Sequence, residues 1–299
     1  PTAGENEDVV LRILAGSGAQ PLAKMNLSPD YLRSIQNLVA SPYGMVLAVG
    51  PTGSGKTTTL HAMLGKVNAV EKKVWTVEDP VEITQPGLRQ MQVNPQIGLS
   101  FASAMRSFLR ADPDVIMVGE MRDEETAHMA IEASLTGHLV FSTLHTNNAP
   151  ETITRLIDMG IEPFSFSDAL LGILAQRLAR RLCDQCKVEY EANDSERAEF
   201  SGYLGETALS RLAGPGPLKL FRAEGCVECD NSGYRGRLAL HELLVNNDEI
   251  REAMQKKAMT AELRLLAEKN GMRTLLQDGV AKCLQGLTDL KQVLAVCSR

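Results

Sequence analysis

Gly50-Pro51-Thr52-Gly53-Ser54-Gly55-Lys56-Thr57 fits the pattern GxxxxGK[ST], and Thr58 follows it. The chemistry of such a run is phosphate binding. Its glycines let successive backbone N–H groups wrap the phosphates at the positive end of a following helix. Lys56 is expected to reach the β and γ phosphates, and the Thr57 hydroxyl to ligate Mg²⁺. Three further groups of residues suit phosphate, metal or water: Glu78-Asp79 with Glu82, then Glu120, then Thr143 with His145. A separate constellation, Cys183-x₂-Cys186 and Cys226-x₂-Cys229, offers four thiolates, a tetrahedral set that suits structural Zn²⁺ with no open position.

These groups do one job only if the chain brings them to one place. Met45–Val49 reads as a buried strand directly before the glycine-rich run, and Thr57–Asn68 as the helix after it, which is the context the pattern requires. Further strands are expected over Lys73–Val77, Arg89–Val93, Val115–Val118 and Leu139–Ser142. Helices are expected over Pro29–Ala40 and Ser100–Arg110, after the cap Asp123, and from Pro150 and Pro163. Strand–helix alternation of this kind implies an α/β fold with a mostly parallel sheet covered on both faces. Ligands of such sheets bind at the carboxyl ends of the strands. Glu78, Asp79, Glu82, Glu120, Thr143 and His145 all leave their strands at that edge.

Among the acids, Asp114 precedes its strand and lies at the wrong end, so Glu120 is expected to position Mg²⁺ or the attacking water. Glu78 is the rival general base, and Asp79 and Glu82 are expected near the Mg²⁺. His145 is the stronger of two histidines; His138 starts the same strand, away from the phosphate edge. Phosphoryl transfer also calls for an added cation, for which Arg106 and Arg110, four apart on one expected helix, and Arg12 are candidates.

A net charge of −6 and 4% aromatic residues argue against a basic, base-stacking nucleic-acid surface. No apolar run is long enough to span a membrane. The chain begins at Pro1 and reads as a fragment. Its expected divisions are the tail of a domain whose body is missing (1–27), an α/β P-loop domain (28–181), a tetracysteine module (182–238) and a helical C-terminal subdomain (239–299).

Gly50–Thr57, Thr76–Glu82, Pro113–Glu120 and Leu135–Asn147 together resemble four signature segments of the secretion-ATPase superfamily: the Walker A, Asp box, atypical Walker B and His box. The four cysteines, and Gln176-Arg177-Leu178 just before them, narrow the resemblance to type II secretion ATPase E and the type IV pilus assembly ATPases. The pilus retraction ATPases lack the cysteine module. The resemblance implies that residues 1–27 are the tail of a linker domain and residues 28–181 a RecA-like domain. It implies a motor in a hexameric ring that hydrolyses Mg-ATP to drive pseudopilus or pilus assembly. It implies docking on an inner-membrane platform and cytoplasmic docking proteins, and a cytoplasmic, peripheral location. Arg12, Arg106 and Arg110 then match arginines around the phosphates, and His138 joins His145 in the His box. Two rival readings are a hexameric nucleic-acid translocase and a non-hydrolysing nucleotide-dependent scaffold.

Overall fold

Every residue of Gly44–Val49 is buried, so this strand needs cover on both faces and a partner on both sides. The structure, a computed structural model, describes residues 18–297. Through the first part of the chain the elements are α1 (Pro29–Val39), β1 (Gly44–Val49), α2 (Lys56–Val67), β2 (Val74–Glu78), β3 (Leu88–Gln92), α3 (Phe101–Phe108) and β4 (Val115–Val118). There follow α4 (Glu124–Leu135), β5 (Leu139–Leu144), α5 (Ala149–Asp158), α6 (Pro163–Ala169) and β6 (Leu170–Leu182). Then come β7 (Val188–Glu191), α7 (Asp194–Leu204), α8 (Glu206–Ala213), β8 (Lys219–Arg222) and β9 (Tyr234–Val245). Four helices close the described chain: α9 (Asp248–Gln255), α10 (Thr260–Lys269), α11 (Leu275–Leu284) and α12 (Leu290–Cys297).

Among the described residues, seven strands form one sheet in the order β3-β2-β4-β5-β1-β6-β9. All its pairs are parallel except β6 with β9. One face packs on α3 to α6 and the C-terminal α9 and α10, through Met105, Phe108, Ile131, Ile153, Phe166 and Met254. The other packs on α1 and α2, through Ile35, Leu60, Met63 and Leu64. The expected α/β class and mostly parallel sheet are thus present. Local chemistry sets the helix starts: Ser28, Asp123 and Asn148 each accept a backbone N–H of the first turn of α1, α4 and α5.

Two strands of this sheet lie where sequence periodicity marks none. β6 is rich in Leu, Ala, Gln and Arg, all good helix formers, yet pairing with β1 on one side and β9 on the other overrides that preference. β9 is its antiparallel partner and runs through the division drawn at residue 238. The segment between them leaves and re-enters the sheet at its far end, where Leu182 pairs with Tyr234. It carries the antiparallel β7–β8 pair, with α7 and α8 between the two strands, and shares a small core with α11 and α12 around Phe200, Leu209, Leu220, Leu240 and Val280.

Candidate functional site

Gly50–Thr57 connects β1 to α2, and its backbone conformation demands glycine. Gly50 and Gly55 have φ of 147° and 90°, and a Cβ on them would fall 2.3 Å from the Gln176 carbonyl and 2.7 Å from its side-chain amide. Gln176, on β6, donates from Nε2 to the Ser54 carbonyl at 2.6 Å and accepts from Thr59 Oγ1 at 2.6 Å. This buried amide therefore fixes the curve of the loop from behind. Lys56 Nζ donates to the carbonyls of Gly50 and Pro51. Burial holds the Lys56 ammonium below its ordinary pKa, with the Glu120 charge opposing.

A cleft of about 430 Å³ opens along the carboxyl ends of β2, β4 and β5. Lining it are Thr52, Gly53, Gly55, Lys56, Thr57 and Thr58 from the loop and α2, with Glu78, Asp79, Glu82, Glu120 and His145 from the strand ends. Gly50, Pro51 and Ser54 shape the loop behind that surface. The structure thus brings the acids and His145 to the Lys56 side of the sheet.

The two rival acids differ in their surroundings. Both oxygens of Glu78 are engaged: Oε1 accepts from Thr76 Oγ1 at 2.6 Å and Gln90 Nε2 at 3.0 Å, and Oε2 lies 3.1 Å from His61 Nε2. Burial alone would raise this carboxyl, but the bonds from His61, Thr76 and Gln90 outweigh it and hold the pKa below its ordinary value. Glu120 instead faces the cleft, its side chain 14% exposed, paired with Arg122 and 3.5 Å from His145 Nε2. Arg122 also lies 3.9 Å from Asp79. Burial and the Lys56 charge lower the His145 pKa, so the imidazole is neutral near pH 7.

Other predicted residues stand apart. His138 bonds the Ala133 carbonyl through Nδ1 at the opposite end of β5. Arg106 pairs with Glu125 and does not line the cleft. Arg110 is not on the helix with it: α3 ends at Phe108, and the chain turns through Leu109 toward Asp112, whose φ is 51°. Arg12 lies outside the described residues. Sequence reasoning missed Gln176 as a site residue, as well as Arg122, Leu178 and Arg237, which line the cleft. Arg122 carried a signal, since it follows Glu120 by two residues at the same strand end. Leu178 and Arg237 sit on β6 and β9, strands that periodicity did not mark.

Cys183, Cys186, Cys226 and Cys229 converge with all four sulfurs within 4.8 Å of one another. Cys183–Cys226, Cys186–Cys229 and Cys226–Cys229 lie 3.9, 3.8 and 3.7 Å apart. A tetrahedron with metal–sulfur bonds of about 2.3 Å has edges of about 3.8 Å, so the donor set fits a four-coordinate thiophilic ion. Burial opposes a thiolate at Cys229, but amides of Cys226 and Gly233 donate to its sulfur and pull the pKa down to about 6.

Residues 1–295 match the family model for "Type II/IV secretion system protein". The chain is 47% identical over 290 residues to the type IV pilus assembly ATPase PilB of Thermus thermophilus, covering 97% of this chain and 32% of that one. It is 44% identical over 297 residues to the type II secretion system ATPase E of Vibrio cholerae, covering 98% and 56%. A crystal structure of the pilus retraction motor PilT with bound ADP superposes with a TM-score of 0.68 at 29% identity, over 95% of this chain and 68% of that chain. The chain spans between about a third and just over half the length of these two sequence relatives.

Proposed function

The chain belongs to the Type II/IV secretion system protein family, and from that premise we propose that its strand edge hydrolyses Mg-ATP to drive pseudopilus or pilus assembly. The observation that carries this reading is the convergence of Lys56, Thr57, Glu120 and His145 on one cleft at the carboxyl edge of the sheet. Lys56 and the loop amides hold the phosphates, and Thr57 ligates Mg²⁺ with Asp79 and Glu82 nearby. Glu120 orients the attacking water or the metal shell, because its carboxylate faces the cleft while both Glu78 oxygens are engaged by His61, Thr76 and Gln90. Neutral His145 stands beside Glu120 to sense the γ-phosphate.

Arg106 and Arg110, absent from the lining of their own cleft, are cations for the site of a neighbour in a head-to-tail hexameric ring, with Arg12 as a third. The four cysteines bind structural Zn²⁺, which folds the loop between β6 and β9. Such a motor works in the cytoplasm, docked at an inner-membrane platform.

Steady-state turnover of Glu120→Gln and Glu78→Gln tests the assignment. Glu120→Gln should lose about 100-fold or more in kcat with Mg-ADP affinity kept within threefold, and Glu78→Gln about tenfold or less. The reverse order would move the base to Glu78. Full turnover in both variants would remove the strand-edge acids from the chemistry.

A further inference from the structure

Two buried charged side chains on the β6–β9 ladder each reach in two directions. Glu242 on β9 and Arg177 on β6 are 4% and 9% exposed. They lie on the same face of the sheet, since Glu242 pairs across the ladder with Ala175, two residues before Arg177. Glu242 Oε1 accepts from the Ala149 amide at 2.8 Å, and Oε2 accepts from the Leu275 amide at 3.3 Å. These are the first residues of α5 and α11, so one carboxylate faces two helix N-termini. Arg177 donates to the Asn147 side-chain oxygen at 3.1 Å and to the Val296 carbonyl at 2.7 Å, in the last turn of α12. Each charge therefore holds one end of a C-terminal helix, with the sign that the helix end favours. Each also holds the short segment from Asn147 to Ala149, which begins two residues after His145.

We propose that Arg177 and Glu242 are positioning residues that form a two-armed clamp, through which the docking of α11 and α12 sets the place of the His145 loop at the cleft. Neither touches the cleft, so neither is a catalytic residue. The proposal rests on the reading of the strand edge as an ATPase site. It names the C-terminal helices as the element that tunes that site. On the other face of β6, the adjacent Gln176 grips the phosphate loop. One strand thus holds both sides of the nucleotide edge.

Steady-state turnover of Arg177→Lys, Glu242→Gln and Asn147→Ala, alone and with His145→Gln, tests the clamp. A lysine carries its donors on a single nitrogen and does not reproduce the two separate guanidinium nitrogens that meet Val296 and Asn147, and a glutamine cannot accept at both side-chain positions. Each single variant should lose about tenfold in kcat with KM within twofold. On the His145→Gln background each should lose less than about twofold more, because the clamp acts through that loop. Hydrogen exchange over residues 145–153 should quicken in each variant while β4 stays protected. Asn147 is exposed, so its variant keeps the test open if a buried substitution disturbs folding. An unchanged kcat, a change confined to KM, or losses that multiply undiminished with His145→Gln would overturn the clamp. If the unmutated chain shows no turnover, the ATPase reading fails by itself. Exchange then decides the clamp, quickened over 145–153 in its favour or unchanged against it.

Discussion

The nucleotide edge and the cysteine module are both clusters of chemically active side chains, but they owe their geometry to different forces. At the nucleotide edge a parallel sheet does the positioning. β1, β2, β4 and β5 are almost wholly buried, and the polar groups leave them at one end, braced by Gln176, Gln90, His61 and Thr76. In the module, four cysteines on two turns meet at the far end of the β6–β9 ladder, with only a small core beside them. There the sulfurs are close enough to be one ion's ligands, and metal binding is folding energy. A site built on a sheet should lose function without losing its fold. One built around an ion should lose its fold first.

Lys56→Ala gives the largest effect that would sharpen this contrast. Turnover should fall about 1000-fold, about 4 kcal/mol in the barrier, while amide protection of β1 and β4 is unchanged. A parallel collapse of sheet protection would erase the distinction. Next, a chelator selective for zinc over magnesium, or Cys186→Ser, should raise exchange over residues 183–233 by about 100-fold, about 2.7 kcal/mol of local stability. Mg-ADP binding should survive that treatment. Its loss would show that the module supports the nucleotide edge after all.

A smaller effect concerns a third setting, the wholly buried His241 of β9, whose ring lies against Lys282 of α11. Burial and the neighbouring Lys282 push its pKa well below the ordinary value, while Asp278 pairs with Lys282 and also accepts the His241 amide. The folded state refuses a proton that the unfolded state takes up as pH falls below about 6.5. Stability is therefore full above that pH and lost on acidification, by about 1 kcal/mol per unit at first. Thermal melts from pH 7 to pH 5 should show this slope, and His241→Gln should flatten it. An equal slope in that variant would assign the acid sensitivity to other groups.

The contrast also explains what the sequence revealed. The phosphate loop is contiguous, and its glycines, lysine and threonine are legible in eight letters. The strand-end acids were legible because parallel strands share a carboxyl edge, which makes the residue after each strand informative without knowing strand order. The cysteines announced themselves by spacing. What stayed hidden depends on contacts distant in sequence. Gln176 meets Ser54 across more than a hundred residues, and the helix-forming composition of β6 conceals the strand that carries it. Composition likewise allowed a helix through Arg110, whereas the turn into β4 ends it at Phe108. The engagement of Glu78 by His61 and Gln90 joins three separate elements, so no local pattern could have separated it from Glu120.

Mg-ATP turnover per chain against protein concentration, with Lys56→Ala as the blank, tests the central claim most directly. Turnover well above the blank, rising per chain as concentration increases, is the expected result for a strand-edge ATPase whose sites are completed in a ring. Turnover equal to the blank at every concentration, in protein that still binds Mg-ADP, would contradict it and leave a nucleotide-dependent scaffold in its place.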